Sequence, residues 1–298
     1  MRARLAGEGL ALDFGLARAR VRADAPGVAE ALGIVYSAFP LVPAEGFFDV
    51  TASLVRPRGL RRYWRAQVSF RLDGEEPFEP FPADTHLPLL EWGMNWAIAH
   101  RFNRHLLLHA GVVERDGAAV LLPALPGSGK STLTAALANR GFRLLSDEFG
   151  VVRLADAALL PLLRPTALKN ESIEVMRRFA PGAVLGPAFP KTRKGTVAHL
   201  APGAESVAKR NMPARAALIL FPNFVRGAGT ELEPIPKSRA FLKLSTNSFN
   251  YELLGPEAFD AVTKLVGACA CYRLRFGDLE EAVGRIRALL VETPAAAP

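Results

Sequence analysis

The chain has 298 residues, of which 50% are hydrophobic and 22% are charged, and this composition is typical of a globular protein with a large core. A disordered, fibrous or low-complexity protein is therefore excluded. The 37 basic and 29 acidic side chains give a formal net charge of +8, which favours anionic ligands or an acidic partner. Nucleic acid is not expected as a partner, because no recognised nucleic-acid-binding module occurs.

No run of residues approaches the length of a membrane-spanning helix, and the N-terminal residues lack the uninterrupted apolar core of a signal peptide. The two cysteines, Cys269 and Cys271, lie in one apolar segment. A disulfide across so short a loop would be strained, so both are expected to be buried, reduced thiols. These features predict a cytoplasmic protein with no membrane partner.

Residues 1–85 are predicted to form a smaller, strand-rich N-terminal domain. Alternating apolar positions indicate a strand over residues 10–16, and residues 27–39 favour a short helix. Two antiparallel strands, over residues 47–55 and 63–70, are predicted on either side of an arginine-rich loop.

Arginines in and after this loop alternate with the aromatic residues Tyr63 and Trp64, and they are Arg56, Arg58, Arg61, Arg62 and Arg65. Arginines beside aromatic rings can dock phosphates or an acidic partner. The favoured interpretation is a solvated hairpin rim, because runs of charge usually face water.

A proline-flanked linker, residues 80–82, precedes a helix predicted over residues 87–103, in which Trp92 and Trp96 are interpreted as packing residues. Further along, the apolar patterns predict strands over 214–221 and 271–276 and helices over 256–268 and 279–291. The predicted organisation is a connecting helix (86–104), a main domain (105–292) and a disordered tail (293–298).

The strongest chemical signal lies in residues 118–137, where an apolar strand is followed by a glycine-rich turn and a helix. Such a turn presents backbone N–H groups to an anion, and the helix N-terminus adds partial positive charge. The pattern predicts a phosphate-binding loop, or P-loop, in which Lys130 reaches the phosphates of ATP and Ser131 coordinates Mg²⁺. The predicted nucleotide-binding residues are Pro126, Gly127, Ser128, Gly129, Lys130, Ser131 and Thr132.

The loop departs from the pattern G-x-x-x-x-G-K-[ST] at Ala124, where the pattern has glycine. Alanine disfavours a positive φ, so the first turn is expected either to be less strained or to be shaped by Pro126.

Two elements around the loop complete the segment. Residues 106–113 and 118–122 predict a hairpin, with a turn signal at residues 115–117. The helix after the loop is predicted to end at Gly141, and a strand over 142–146 then delivers Asp147 and Glu148 at its C-terminal end.

These residues resemble the HPr serine kinase family, which has a histidine at a strand start, a P-loop, a helix ending in arginine–glycine, and an acidic pair after the next strand. Here His109 precedes Lys130 by 21 residues and Asp147 follows Lys130 by 17, as in the family. The chain is most similar to the HPr-kinase-related kinases, which share the strings LLEWGMNW, LKNESIEV, TRKGTVAHL, FNYELLG and CYRLRFGDLEEA.

The resemblance implies an α/β fold with a P-loop-containing kinase core of HPr kinase type, a mixed sheet flanked by helices, beside the smaller N-terminal domain. It also implies an ATP-dependent kinase that uses Mg²⁺ and transfers the γ-phosphoryl group to a hydroxyl, in this family a serine, of a peptide or protein. The N-terminal domain is a candidate for recognising that partner. HPr kinases assemble as hexamers, so the resemblance is compatible with a homo-oligomer.

The resemblance assigns roles residue by residue. Asp147 and Glu148 are candidates for the base that accepts the hydroxyl proton and, with Ser131, for the metal ligands; which carboxylate does which is left open. His109 matches a histidine near the acceptor site, and its alternative is a satisfied histidine at a strand start. Arg239 matches an arginine near the transferred phosphate, with a register shift of one residue.

Two segments raise alternatives. Lys169 stands where HPr kinases have a glutamate that contacts a second metal ion, so either Glu171 substitutes for it or a fixed cation replaces one metal ion. Residues 190–195, with the cations Arg193 and Lys194, are predicted to be a loop that clamps the γ-phosphate or the phosphate acceptor. A plain solvated loop is the alternative for this segment.

Two other functions stay open. A small-molecule kinase also has an acid one helix and one strand after the P-loop, although such enzymes usually begin at the P-loop. A nucleotide-binding regulator without catalysis is the other alternative, and Ala124 and Lys169 favour it.

Overall fold

The computed structural model describes residues 1–43, 45–57 and 66–293 and shows a mixed α/β protein in which several sheets are flanked by helices. The described strands are β1 Leu10–Asp13, β2 Arg18–Ala23, β3 Val50–Val55, β4 Gln67–Leu72, β5 Phe81–Pro82, β6 Leu106–Arg115, β7 Ala118–Pro123, β8 Arg143–Ser146, β9 Phe149–Val152, β10 Leu159–Leu160, β11 Thr166–Lys169, β12 Phe189–Thr192, β13 Gly195–Leu200, β14 Arg215–Phe224, β15 Glu231–Pro234 and β16 Ala270–Phe276. The described α-helices are α1 Arg2–Ala6, α2 Val28–Val35, α3 His86–Arg101, α4 Lys130–Ala138, α5 Glu171–Phe179, α6 Ala204–Ala208, α7 Lys237–Thr246, α8 Tyr251–Leu254, α9 Pro256–Ala268 and α10 Leu279–Glu292.

The first sheet joins β1 to β5 in chain order, with β2 and β3 parallel and the other neighbours antiparallel. The helix predicted after residue 27 is confirmed as α2, and the predicted antiparallel pair is confirmed as β3 and β4. The sequence interpretation misses β2, because two of its buried positions are Ala19 and Ala23, and alanine is a weak strand former. Most of the arginine-rich loop, residues 58–65, lies outside the described residues.

Helix α3 lies between the first sheet and the rest of the chain and confirms the helix predicted over residues 87–103. Its buried residues belong to a cluster that also includes residues of β3, β4 and α4. The rings of Trp92 and Trp96 lie 4.2 and 5.4 Å from that of Phe78, so both tryptophans pack as predicted. The domain boundary near residue 85 stays a prediction, and one continuous core extends across it.

The second sheet is built around the predicted hairpin of β6 and β7. Its order is β10–β9–β6–β7–β14–β16–β15, and β8 also pairs with β6. Strands β7, β14 and β16 run parallel, whereas β6 is antiparallel to β7, β8 and β9. Strands β7 and β8 therefore point the same way on either side of β6, and their C-terminal ends lie at the same edge of the sheet.

The register of these strands places the acidic pair at the level of the end of β7. Strands β9 and β8 pair with successive parts of β6, and Asp147 and Glu148 form the link between them. The link therefore lies opposite Ala110 and Gly111, next to the point where β7 ends. The register pairs that define this level are Val112 with Ser146, His109 with Phe149, and Ala110 with Pro123.

Helices cover both faces of this sheet. Buried side chains alternate along β6 and β7, so that one face packs on α4 and α10 and the other on α7 and α9. Strands β14 and β16 and helices α9 and α10 confirm the predicted C-terminal elements. Among the described helices, none combines the length and the apolar character needed to cross a bilayer.

The two cysteines flank the start of β16, and both are buried free thiols, as predicted. Burial raises the pKa of Cys269 to about 12 and the pKa of Cys271 to about 11. Both thiols therefore stay protonated at neutral pH and act as small apolar side chains.

A third sheet, in the order β11–β13–β12, corrects the interpretation of residues 190–195 as a loop. That prediction is wrong because Lys191 and Thr192 belong to β12 and Gly195 begins β13. Arg193 and Lys194 form the turn between these strands, and the Lys194 N–H donates to Thr192 Oγ1 at 3.1 Å. The two cations are therefore presented on a hydrogen-bonded hairpin.

Candidate active site

A glycine-rich loop, residues 124–129, connects β7 to α4 at the edge of the sheet where the acidic pair lies. Gly127 and Gly129 adopt φ values of 89° and 84°. Ala124 is not among the residues with a positive φ. The expectation of a less strained first turn is therefore confirmed, because alanine fits the backbone at this position.

Gly129 is required by its backbone and by its neighbour. Besides its positive φ, a Cβ added at this position would lie only 2.9 Å from the Cβ of Phe224. The Phe224 N–H donates to the Ser128 carbonyl at 3.1 Å, which ties the loop to β14. The loop is therefore held in place from β7, β14 and α4, and such preorganisation favours anion binding.

Lys130, the first residue of α4, lies against the acidic pair. Its Nζ contacts the main-chain carbonyl of Asp147 and lies 3.6 Å from Asp147 Oδ1. The side chains of Lys130 and Asp147 are 8% and 6% exposed, so bulk water screens their interaction little. The structure therefore brings together the two residues that the sequence interpretation placed at the centre of the chemistry.

His109 and Glu148 form a second contact of the site. His109 Nε2 lies 3.6 Å from Glu148 Oε1, and the imidazole packs against the ring of Phe249. Burial and the nearby charge of Lys130 lower the pKa of His109. His109 is therefore a neutral imidazole at neutral pH, with one nitrogen that donates and one that accepts.

The segment after α7 fixes the strand that carries His109. The His109 N–H donates to the Asn247 carbonyl, and Asn247 Nδ2 donates to the His109 carbonyl, both at 2.9 Å. The buried side chain of Asn250 accepts from the Leu107 N–H and donates to the His105 carbonyl. Asn250, the asparagine that resembles the downstream motif, therefore satisfies one main-chain group in β6 and one in the residue before it.

Glu148 is surrounded by positive charge. Burial acts to raise its pKa, but the charges of Lys130, Lys169 and Lys194, and that of His109 when its ring is protonated, outweigh burial, so the pKa of Glu148 lies below its usual value. Burial and the charge of Lys194 lower the pKa of Lys169. Lys169 on β11 and Lys194 in the β12–β13 turn thus contribute positive charge that lowers the pKa of Glu148.

Arg193 and Arg239, two further predicted cations, lie on other elements than Lys130 and the acidic pair. The guanidinium of Arg193 lies 5.0 Å from the centroid of the Phe81 ring, so it contacts the first sheet. Arg239 is exposed on α7. Lys243, one helical turn further along α7, lines a cavity beside the glycine-rich loop, whereas Arg239 does not line it.

This cavity has a volume of about 520 Å³, which is typical of a small-molecule site. Lys243 Nζ lies 5.2 Å from the centroid of Phe221 within it. The sequence interpretation misses Lys243, although it shares a helix face with Arg239 at the i, i+4 spacing. The lining residues are Pro123, Ala124, Leu125, Pro126, Gly127, Ser128, Phe221, Pro222, Asn223, Lys243, Thr246 and Asn247.

A buried ion pair that the sequence interpretation also misses lies behind the acidic pair. Arg164 pairs with the carboxylate of Glu91 on α3 and donates to the Glu91 carbonyl at 2.8 Å and to Asn95 Oδ1. The Tyr36 hydroxyl donates to Glu91 Oε1 at 2.7 Å. Burial, together with the Glu91 charge, raises the pKa of Tyr36 well above its ordinary value.

His199, on β13, makes the stability of the protein depend on pH. Burial lowers its pKa to about 4, against an ordinary value of 6.5. As the pH falls below 6.5, the unfolded chain binds a proton at this site and the folded chain does not, so the fold loses stability. We expect this site to lower the free energy of unfolding by about 2 kcal/mol between about pH 7 and about pH 5.

Urea unfolding of the wild type and of His199→Gln at these two pH values tests this expectation. The variant is expected to show a change smaller by about the same 2 kcal/mol, whatever its absolute stability. Equal changes in the two proteins would mean that His199 is not a buried neutral imidazole.

The residues predicted to hold a metal ion offer only oxygen donors, the hydroxyl of Ser131 and the carboxylates of Asp147 and Glu148. Mg²⁺ prefers oxygen and is usually held by one or two carboxylates together with substrate phosphates and water. Within residues 1–43, 45–57 and 66–293, no group of three or more His, Cys, Asp or Glu side chains could hold a metal ion. The donor set therefore fits Mg²⁺ that binds together with phosphate groups.

Comparison with known proteins gives a distant similarity in fold. No model of a known protein family matches the chain, and no curated protein matches it. Among solved structures, the chain is similar to the Hpr(Ser) kinase/phosphatase from Coxiella burnetii, with 15% sequence identity and a TM-score of 0.24. This similarity covers 62% of this chain and 92% of that chain.

Proposed function

We propose that this protein is an ATP-dependent kinase that transfers the γ-phosphoryl group to a hydroxyl of a peptide or protein. The observation that carries the proposal is the 3.6 Å separation of Lys130 Nζ and Asp147 Oδ1 beside the glycine-rich loop. Phosphoryl transfer requires a phosphate-binding cation close to a group that can accept the hydroxyl proton. The motif strings shared with HPr-kinase-related kinases support serine as the acceptor.

The backbone N–H groups of the loop and Lys130 would hold the phosphates of ATP. Asp147, next to Lys130, would accept the proton of the attacking hydroxyl. Ser131 and the acidic pair would hold Mg²⁺ together with the nucleotide, and the ion would further neutralise phosphate charge. His109, as a neutral hydrogen-bonding group, would orient either the acceptor or the carboxylate of Glu148.

Lys169 and Lys194 would stabilise the charge that develops on the transferred group. Their influence on the pKa of Glu148 supports the alternative in which a fixed cation replaces one metal ion.

The cavity of about 520 Å³ would hold the nucleoside end of ATP. It is open to a ligand that also contacts the loop, and its lining residues include neither a carboxylate nor an imidazole. A hydroxyl placed there would have no base, so this cavity suits the part of the substrate that does not react. The ring of Phe221 suits stacking with the nucleobase of ATP, and the charge of Lys243 suits an anionic phosphate.

Replacing Lys243 by alanine is expected to raise KM for ATP about 10-fold and to change kcat less than about twofold. The physical reason is that Lys243 would contact a part of ATP that is bound equally in the ground state and the transition state. Steady-state kinetics with varied ATP measures both constants. Lys264→Ala, on α9, removes an exposed lysine that does not line the cavity and serves as the control.

A drop in kcat for Lys243→Ala without a change in KM would contradict this placement of the nucleoside. It would instead put the reacting groups beside Lys243.

Transfer from γ-labelled ATP tests the function itself. The purified full chain is incubated with Mg²⁺, labelled ATP and a cell extract, and the products are separated into macromolecules and small solutes. Label in a discrete macromolecular band that carries phosphoserine is the expected result. Label confined to small solutes indicates a small-molecule kinase, and ATP binding without transfer or hydrolysis indicates a non-catalytic regulator.

A further inference from the structure

A small cavity lies behind the acidic pair, apart from the larger cavity at the loop. Its volume is about 30 Å³, which is enough to hold a water molecule. Side chains from α3, from the β8–β9 link, from the segment after β10 and from β13 line it, among them Asn95, Asp147, Arg164 and His199.

Three residues that line this cavity carry a buried polar atom with no hydrogen-bond partner in the protein. The atoms are Asp147 Oδ1, Arg164 Nε and His199 Nδ1, and the residues are 6%, 8% and 2% exposed. A buried polar atom without a partner costs about 1–3 kcal/mol, so three around one cavity indicate a shared partner. An acceptor, a cationic donor and a ring nitrogen together match the hydrogen-bonding capacity of water.

The orientation of Arg164 is determined by its other contacts. Its two terminal nitrogens bind the Glu91 carboxylate, the Glu91 carbonyl and the Asn95 side chain. Because the guanidinium is planar, these contacts also determine the direction of its remaining Nε–H. The Tyr36 hydroxyl donates to the other oxygen of Glu91, so the residue directly after α2, together with α3, supports this arrangement from the N-terminal part of the chain.

We propose that an internal water molecule bridges Arg164 Nε and Asp147 Oδ1, and that Arg164 is a positioning residue for Asp147. The water accepts a hydrogen bond from Arg164 and donates one to the carboxylate, and its second proton is available to His199 Nδ1. The carboxylates of Glu91 and Asp147 exclude an anion from this cavity, and the guanidinium of Arg164 disfavours a metal cation there. The catalytic consequence rests on the proposed function, whereas the water site does not.

The bridge would limit rotation of the Asp147 carboxylate. Lys130 approaches the same carboxylate at 3.6 Å, so the water and the lysine together would determine which oxygen faces the transferred group. A base that must lie within hydrogen-bond reach of a hydroxyl gains from such restraint. The ion pair of Glu91 and Arg164 would thereby connect the N-terminal part of the chain to the reacting carboxylate.

A high-resolution crystal structure of the full wild-type chain tests the water site directly. The expected result is one ordered water within about 3 Å of both Asp147 Oδ1 and Arg164 Nε. An empty cavity, or a direct contact between the two side chains, would overturn the proposal. This measurement needs no enzymatic activity, so it remains decisive if the chain proves not to transfer phosphate.

Kinetics of Arg164→Lys tests the positioning role. Lysine retains the charge beside Glu91 but cannot also supply the Nε–H, so we expect kcat to fall about 10-fold with KM for ATP unchanged. Arg143→Lys is the matched control, because Arg143 is also a buried arginine that pairs with a glutamate, Glu114, and donates to two carbonyls. The control is expected to lose stability and to retain kcat within about twofold.

An equal loss of kcat in the two variants, or an increase in KM alone for Arg164→Lys, would show that Arg164 only stabilises the fold. If Arg164→Lys does not fold, the crystal structure of the wild type still decides whether the water bridge exists. If the wild type lacks transfer activity but the water is present, the proposed function fails and the water bridge stands.

Discussion

Replacing Lys130 by methionine is expected to reduce phosphoryl transfer at least about 10²–10³-fold, the usual effect of removing one preorganised charge from a transition state. Lys130 directly follows the glycine-rich loop, and its side chain and that of Asp147 are only 8% and 6% exposed. A charge in such a place interacts strongly with phosphate oxygens, because little solvent screens it. Labelled-ATP transfer under single-turnover conditions measures the loss, and calorimetry with ATP measures the accompanying loss of affinity.

The same substitution removes the partner of a buried carboxylate. Breaking a buried pair in this way costs about 3–5 kcal/mol of stability, so the variant must be shown to be folded by its thermal unfolding before its activity is interpreted. Lys209→Met provides the comparison, since Lys209 pairs with Glu205 on the surface and its side chain is 46% exposed. Retention of wild-type transfer by a folded Lys130→Met protein would remove the basis of the kinase proposal.

Much of the fold follows from local patterns. In the β6–β7 hairpin, two apolar runs flank a turn signal, and Asp116 and Gly117 adopt the positive φ values of 53° and 85° that such turns require. Prediction from local apolar periodicity also placed α3, α9 and α10 correctly. It failed at β12, where proline and lysine obscure the alternation and only pairing with β13 makes the segment a strand.

The residues behind the site could not be predicted locally. Glu91 and Arg164 are 73 positions apart, and each would ordinarily be assigned to a solvated surface. Their burial becomes favourable only when the tertiary fold supplies the opposite charge and the hydroxyl of Tyr36. Nothing in the spacing of these residues signals that contact.

The candidate site, like the fold, was predicted only in part from local sequence patterns. The P-loop pattern and the spacing of His109, Lys130 and Asp147 predict which residues approach one another, and the structure brings them to one edge of the sheet. On α7, Lys243 lines the cavity and Arg239 does not, and the role given to Arg239 near the transferred phosphate stays a prediction. The two residues share a helix face, so the local pattern does not distinguish them, and only tertiary packing places Lys243 at the cavity.

The roles of the two carboxylates can be separated by their surroundings. Asp147 is 6% exposed and lies next to Lys130, where the terminal phosphate of ATP would bind. The side chain of Glu148 is 39% exposed, and the surrounding cations lower its pKa, which makes it a weaker base. These differences favour Asp147 as the group that accepts the hydroxyl proton and Glu148 as a group that remains ionised.

Asp147→Asn is therefore expected to lower kcat about 10²–10⁴-fold, the range for loss of a general base, whereas Glu148→Gln is expected to lower it only about 10-fold. Both substitutions preserve side-chain size and remove one negative charge, so each is the matched control of the other. Single-turnover transfer at saturating ATP and Mg²⁺ measures the chemical step, and titration with Mg²⁺ shows whether a loss reflects weaker metal binding.

Excess Mg²⁺ should restore part of the activity of Glu148→Gln and none of that of Asp147→Asn, because an amide cannot accept the proton at any metal concentration. The reverse order of effects would transfer the base to Glu148 and leave Asp147 as the partner of Lys130. Equal and complete recovery of both variants by Mg²⁺ would mean that the two carboxylates bind metal only, and that the acceptor hydroxyl loses its proton elsewhere.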